Sequence, residues 1–148
     1  MIARSRRFVW LSVIIGALYS LATPDPTLAE SPGQWILGVW EGSHAGGTYI
    51  RDDKTRFEFT QAGEVIKWKR SREWSSVRGP GWDEASGTVT KIAESSAELE
   101  GHYDTAHFSS TVGKPIKYSL TRKANDVLEG YAIGAANVSF PVSIKRSK

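Results

Sequence analysis

The sequence contains no cysteine and a single methionine, and beyond residue 32 it has no long apolar run, low-complexity stretch or charge block. Without cysteine there is no disulfide framework, thiolate metal site, cysteine nucleophile or lipidated cysteine anchor. A sustained 3.6-residue apolar period is missing, and so is a Gly-x-Ser-x-Gly elbow, which removes the usual signs of an amphipathic helix and of a serine hydrolase. What is there is 148 residues, 40% hydrophobic and 11% aromatic, with six Trp. A chain of this size can bury a core without staples.

The one extended apolar stretch sits at the N-terminus. Arg4, Arg6 and Arg7 precede an uncharged run of about 15 residues from Phe8 to Ala22, and small-x-small triplets follow at Ser20-Leu21-Ala22 and Thr27-Leu28-Ala29. The run is shorter than the roughly 20 residues that span a bilayer. Its layout is that of an export signal over residues 1–29, cleaved after Ala29 or after Ala22. The expectation is a secreted or periplasmic protein with no stable membrane anchor after cleavage. Ser5-Arg6-Arg7-Phe8 leaves a twin-arginine route open. The formal net charge of +3 belongs mostly to this segment: cleavage after Ala29 removes three of nineteen Lys and Arg but only one of sixteen Asp and Glu. The remaining domain is nearly neutral, so no nucleic-acid partner is expected.

Residues 34–148 read as one all-β domain. Short segments rich in Val, Ile, Thr and aromatics alternate with Gly, Asn, Asp and Pro, and eight strands are predicted at 35–43, 55–61, 64–74, 85–92, 97–103, 115–123, 127–133 and 137–146. Ala62-Gly63, Glu94-Ser95 and Asn125-Asp126 are the tight turns. Alternation puts Phe57 and Phe59 on one face of a strand, Ile66 and Trp68 on one face of the next, and Val138, Phe140, Val142 and Ile144 on one face of the last. Pro141 removes a ladder donor there and implies an edge, a bulge or imperfect closure. Leu99-Glu100-Gly101 and Leu128-Glu129-Gly130 repeat a hairpin core, and a strand glycine at such a position marks a sharp bend or a bulky neighbour lying across the backbone. Together these features favour an antiparallel up-and-down meander closing into a small barrel.

Gly38-Val39-Trp40 resembles the Gly-x-Trp opening of lipocalins and avidins. The stretch from there through Gly47-Thr48-Tyr49-Ile50 resembles the first avidin hairpin, and Leu99-Glu100-Gly101-His102-Tyr103-Asp104 a later avidin strand. The resemblance implies a calycin-like barrel whose Trp40 plugs one end beneath a basic residue, Arg146 or Arg122. It does not extend to biotin: Gly42 stands where the avidin site has Asn, and all six Trp precede Asp83.

The candidate ligand-contacting interior is Trp40, Tyr49, Phe57, Phe59, Trp68, Tyr118 and Phe140, with Leu99 and Leu120 beside them. Lys67-Trp68-Lys69-Arg70-Ser71-Arg72-Glu73-Trp74 interleaves cations with aromatics. Arg70, Arg72 and Trp74 share the parity of Trp68, so either the barrel end is wet or a bulge switches faces. These three, with Arg78 and Trp82 of an irregular loop over 75–84, form the candidate partner-binding rim. His102 and His107 with Asp104 have no recognised ligand spacing, so no metal or cofactor is expected. Glu100 and Glu129 alternate away from Leu99 and Leu128 into water, so a paired-carboxylate enzyme is not expected either. The expectation is a non-enzymatic binding protein. A hollow barrel would take a small, mostly apolar ligand; a filled one would work through its loops on an envelope protein or as an inhibitor.

Overall fold

The computed structural model describes residues 32–44 and 50–148. The export segment, Tyr49 and the Gly47-Thr48 part of the avidin-like hairpin lie outside the described residues. Eight strands follow in order: β1 (Gly38–His44), β2 (Ile50–Ala62), β3 (Val65–Ser76), β4 (Gly79–Ile92), β5 (Ser96–Ala106), β6 (Pro115–Ala124), β7 (Val127–Ile133) and β8 (Ser139–Arg146). Each pairs antiparallel with the next, and β1 pairs with β8 from Trp40↔Arg146 to His44↔Val142, which closes the barrel. Closure leaves no long free edge. In general shape this is a calycin-like barrel.

Alternation does the sorting that the sequence implies. Along β3, residues Ile66, Trp68, Arg70 and Arg72 are buried while Val65, Lys67, Lys69 and Ser71 are exposed. The echoed glycines sit where a neighbouring strand passes close to their backbone. A Cβ on Gly101 would stand 2.6 Å from Trp68 Cζ2 and nearer still to the Ser86 carbonyl oxygen, and one on Gly130 would meet the Ser119 carbonyl oxygen. The bulky neighbour predicted as a reason for a strand glycine is therefore Trp68 at Gly101.

Three local expectations are corrected. Trp35 does not open the first strand; Gln34–Ile36 form a 3₁₀ turn, because Trp35 and Ile36 are adjacent and both buried, which an alternating strand cannot achieve. Residues 75–84 are not an irregular loop: β3 runs to Ser76 and β4 begins at Gly79, leaving Val77 and Arg78 as the turn. The hairpin extends this far because Gly81, lacking a side chain, leaves room for the Trp74 indole. The last strand begins at Ser139 rather than at 137; Asn137 takes a left-handed conformation (φ 56°), and Val138 is exposed instead of sharing the inner face. Pro141 pairs across from Tyr131 with no register shift, and among the described residues the β1 ladder stops one residue short of it, at His44↔Val142.

Candidate functional site

The two ends of the barrel are built differently. At the end holding the 3₁₀ turn, Trp40 is fully buried and its Nε1 donates to the Ile36 carbonyl at 2.8 Å. The Arg146 guanidinium lies 4.3 Å from the Trp40 ring centroid and donates to the carbonyls of Leu37 (2.6 Å) and Trp35 (2.5 Å). Trp35 Nε1 donates to Ala93 O at 2.9 Å, and Arg122 lies 5.8 Å from the Trp35 ring centroid. Both arginines expected from the resemblance thus pack on tryptophans here, Arg146 on Trp40 itself. This is a sealed plug in which the donors of Trp35 and Trp40 and two nitrogens of Arg146 find carbonyl partners.

Above the plug the barrel is filled by rings. Phe57 stacks on Phe59 at 5.7 Å, meets Tyr118 edge-on at 5.1 Å and lies 6.2 Å from Trp68, which itself meets Tyr118 at 5.5 Å. These side chains expose 2% or less of their surface. The expected interior residues Trp40, Phe57, Phe59, Trp68 and Tyr118 are therefore brought together as a packed core. Phe140 is half-buried one level higher, 5.9 Å from the His44 ring.

The next layer toward the other end is polar and buried. The Arg70 side chain is fully enclosed, and its Nη1 is held by the Asp83 carboxylate of β4. Arg72, 8% exposed, donates from Nε (2.7 Å) to Asp53 Oδ2 and from Nη2 (2.9 Å) to the His44 carbonyl, while its guanidinium lies 4.7 Å from the Trp74 ring centroid. Asp53 Oδ1 in turn accepts from His44 N (3.1 Å) and Thr55 Oγ1 (3.0 Å), tying β1, β2 and β3 into one knot. Arg70 and Arg72 therefore belong to the barrel interior rather than to an exposed rim, and no bulge on the β3–β4 ladder breaks their phase with Trp68. Trp74 is half-buried against Gly81, and Arg78 and Trp82 are exposed.

The electrostatics of this layer follow from burial and mutual proximity. Desolvation, reinforced by the Arg72 and Arg70 cations, pushes the His44 pKa down to about 2, so its imidazole is neutral at physiological pH. Burial raises the Tyr118 phenol well above its ordinary range, which keeps it protonated. Burial opposes the Arg70 charge, but the neighbouring Asp83 carboxylate, which also accepts from its Nη1, favours it, and its pKa is raised. Among the described residues, five polar atoms of this layer have no hydrogen-bond partner: His44 Nδ1 and Nε2, Arg70 Nε and Nη2, and Tyr118 Oη. An unsatisfied buried polar group costs about 1–3 kcal/mol, and more when it is charged. Concentrating such groups in one layer is a feature that fold stability alone does not favour.

Sequence reasoning placed Arg70 and Tyr118 among candidates but missed His44, Asp53 and Asp83. The parity of Arg70 and Arg72 with Trp68 was the available signal; a buried cation demands a buried carboxylate, and these come from Asp83, the β4 ladder partner of Arg72, and from Asp53 in the β2 bulge between Arg51 and Lys54.

Outside the barrel, His102 Nε2 lies 3.1 Å from Asp104 Oδ1 on an exposed face, and His107 packs edge-on against Phe108. Glu100 is exposed and accepts from Lys117 Nζ at 2.8 Å; Glu129 is also exposed. No protein-family model matches this chain, and no curated protein matches it.

Proposed function

We propose that this is an exported, non-enzymatic binding protein of the lipocalin and avidin type that takes a small polar ligand at the end of its barrel carrying Arg70, His44 and Tyr118. The observation that carries this is the convergence of unpartnered, buried hydrogen-bonding atoms from β1, β3 and β6 on that one layer. The packed rings beneath weigh against a mostly apolar ligand held deep in the barrel. The Trp40–Arg146 plug supports the lipocalin-like reading, and the N-terminal segment supports a periplasmic or secreted location.

The test is a thermal-shift screen of small polar molecules on the native protein and on Arg70→Met/Asp83→Leu, beside a neutral hydrophobic dye. The reading expects compounds that raise Tm only in the native protein, and no dye uptake. Compounds that stabilise both proteins equally, or dye uptake that shifts tryptophan emission, would oppose it.

One observation favours the loop-mediated alternative. Among the described residues, every exposed large hydrophobic except Val65 lies toward this same end: Val77, Trp82, Phe108, Val112, Tyr131, Ile133 and Val138. Apolar rims of this kind mark contact surfaces for protein partners. Val77→Asp with Phe108→Asp separates the two roles, because it disrupts a rim contact and leaves the buried layer intact.

A further inference from the structure

We propose that the ligand carries a carboxylate, which docks side-on against the free Nε/Nη2 edge of Arg70, with Tyr118 Oη and the His44 ring completing its contacts. This rests on the reading of the polar layer as a binding site and adds the chemical class of the ligand.

A guanidinium offers two N–H groups side by side along its Nε/Nη2 edge, a spacing that fits a carboxylate. In Arg70 this edge is unpartnered, while Asp83 occupies the opposite corner through Nη1. Two residues on and facing the same interior, Arg72 shows what fills such an edge: Asp53 Oδ2 lies 2.7 Å from its Nε and 2.6 Å from its Nη2. The two arginines thus share a face and differ in one respect. Arg72 receives its side-on carboxylate from Asp53 in the β2 bulge, two residues before its ladder partner Thr55; for Arg70 the ladder partner is Phe57 and the residue two before it is Thr55, and neither has a carboxylate to give.

The other unpartnered groups suit the same acceptor. Tyr118 is protonated and has an O–H to donate. Neutral His44 supplies one further N–H and one acceptor, so the layer as a whole has more donors than acceptors. The rings of Phe57, Trp68 and Tyr118 form a packed floor, so the carboxylate points inward and the ligand body extends toward the loops. Entry requires the side chains above the edge to move, since the free atoms have no exposed surface.

The experiment is a titration of the purified protein with acetate, butyrate, hexanoate and benzoate and with the matching primary amides. It is followed by calorimetry and by the Arg70 Nε–H resonance in ¹⁵N-resolved NMR. Carboxylates are expected to move that resonance and to bind at least about tenfold more tightly than the amides, as charge-assisted pairs outweigh neutral ones. Arg70→Lys keeps a cation beside Asp83 but removes the fork, and is expected to lose about tenfold in affinity. Should that variant not fold, Tyr118→Phe preserves the ring and is expected to weaken binding about threefold with an unchanged circular dichroism spectrum. Equal binding of amides and carboxylates would overturn the carboxylate assignment and leave the polar layer as the site. Carboxylate binding that leaves the Arg70 resonance unmoved would also overturn it. Absence of binding by every probe would overturn it too, and the broader reading would then fail only if the thermal-shift screen also found nothing specific to the native layer.

Discussion

Both ends of this barrel set an arginine near an aromatic ring, and they use it differently. At the plugged end Arg146 covers Trp40 and donates to backbone carbonyls fixed by the 3₁₀ turn. At the polar end Arg70 lies 5.6 Å from the Tyr103 ring centroid, shares one corner with Asp83, and keeps its remaining edge unpartnered. The first arrangement is satisfied within the fold and belongs to stability. The second retains unused hydrogen-bonding capacity in a low-dielectric layer, where each new contact is worth more than in water. The same residue type can thus serve closure or recognition, and the partner count distinguishes them.

The difference can be broken most forcefully at the plug. Trp40→Ala removes the largest ring of the closed end, and urea denaturation should show a loss of about 3–5 kcal/mol. A loss below about 1 kcal/mol would mean that the plug does not hold the barrel shut.

A smaller effect separates the ends by pH. The unfolded chain carries a proton on His44 below about pH 6.5, whereas the folded chain resists it down to about 2. Between those values the unfolded state binds more protons, so this group makes stability fall as pH drops, by up to about 1.4 kcal/mol per unit. His44→Phe keeps the packing on Tyr118 and Phe140. Melts between about pH 7 and pH 5 should therefore show a shallower pH slope for this variant. An identical slope would remove His44 from the account.

The smallest effect is the most diagnostic of an unused group. Tyr118→Phe deletes a buried hydroxyl that has no partner, so the protein should be unchanged or stabilised by less than about 1 kcal/mol. A clear destabilisation would show that the hydroxyl already serves the fold.

Much of the barrel was legible in the sequence because its signals are local. The alternation of Phe57, Phe59, Ile66 and Trp68 and the repeated Leu-Glu-Gly hairpins fixed the meander, and Gly38-Val39-Trp40 with Arg146 pointed to the plug. The polar layer was only half legible. Arg70 and Arg72 stood in phase with Trp68, yet their partners come from elsewhere: Asp53 from a strand start placed too late, Asp83 from a stretch whose Gly-Pro-Gly reads as a loop, and His44 from one residue past the predicted end of the first strand. Pairing across strands, rather than spacing along one, assembles the layer, and register is what a single sequence specifies least directly.

The central claim is that the Arg70–Asp83 pair serves recognition rather than stability. It is tested most directly by the unfolding free energy of Arg70→Met/Asp83→Leu, which exchanges the pair for apolar side chains of similar volume. Replacing a buried ion pair in this way is commonly neutral or stabilising, so the double variant should match the native protein within about 1 kcal/mol or exceed it, while losing the native protein's ligand response. A loss of more than about 3 kcal/mol would show that the pair holds the barrel together and would contradict the account.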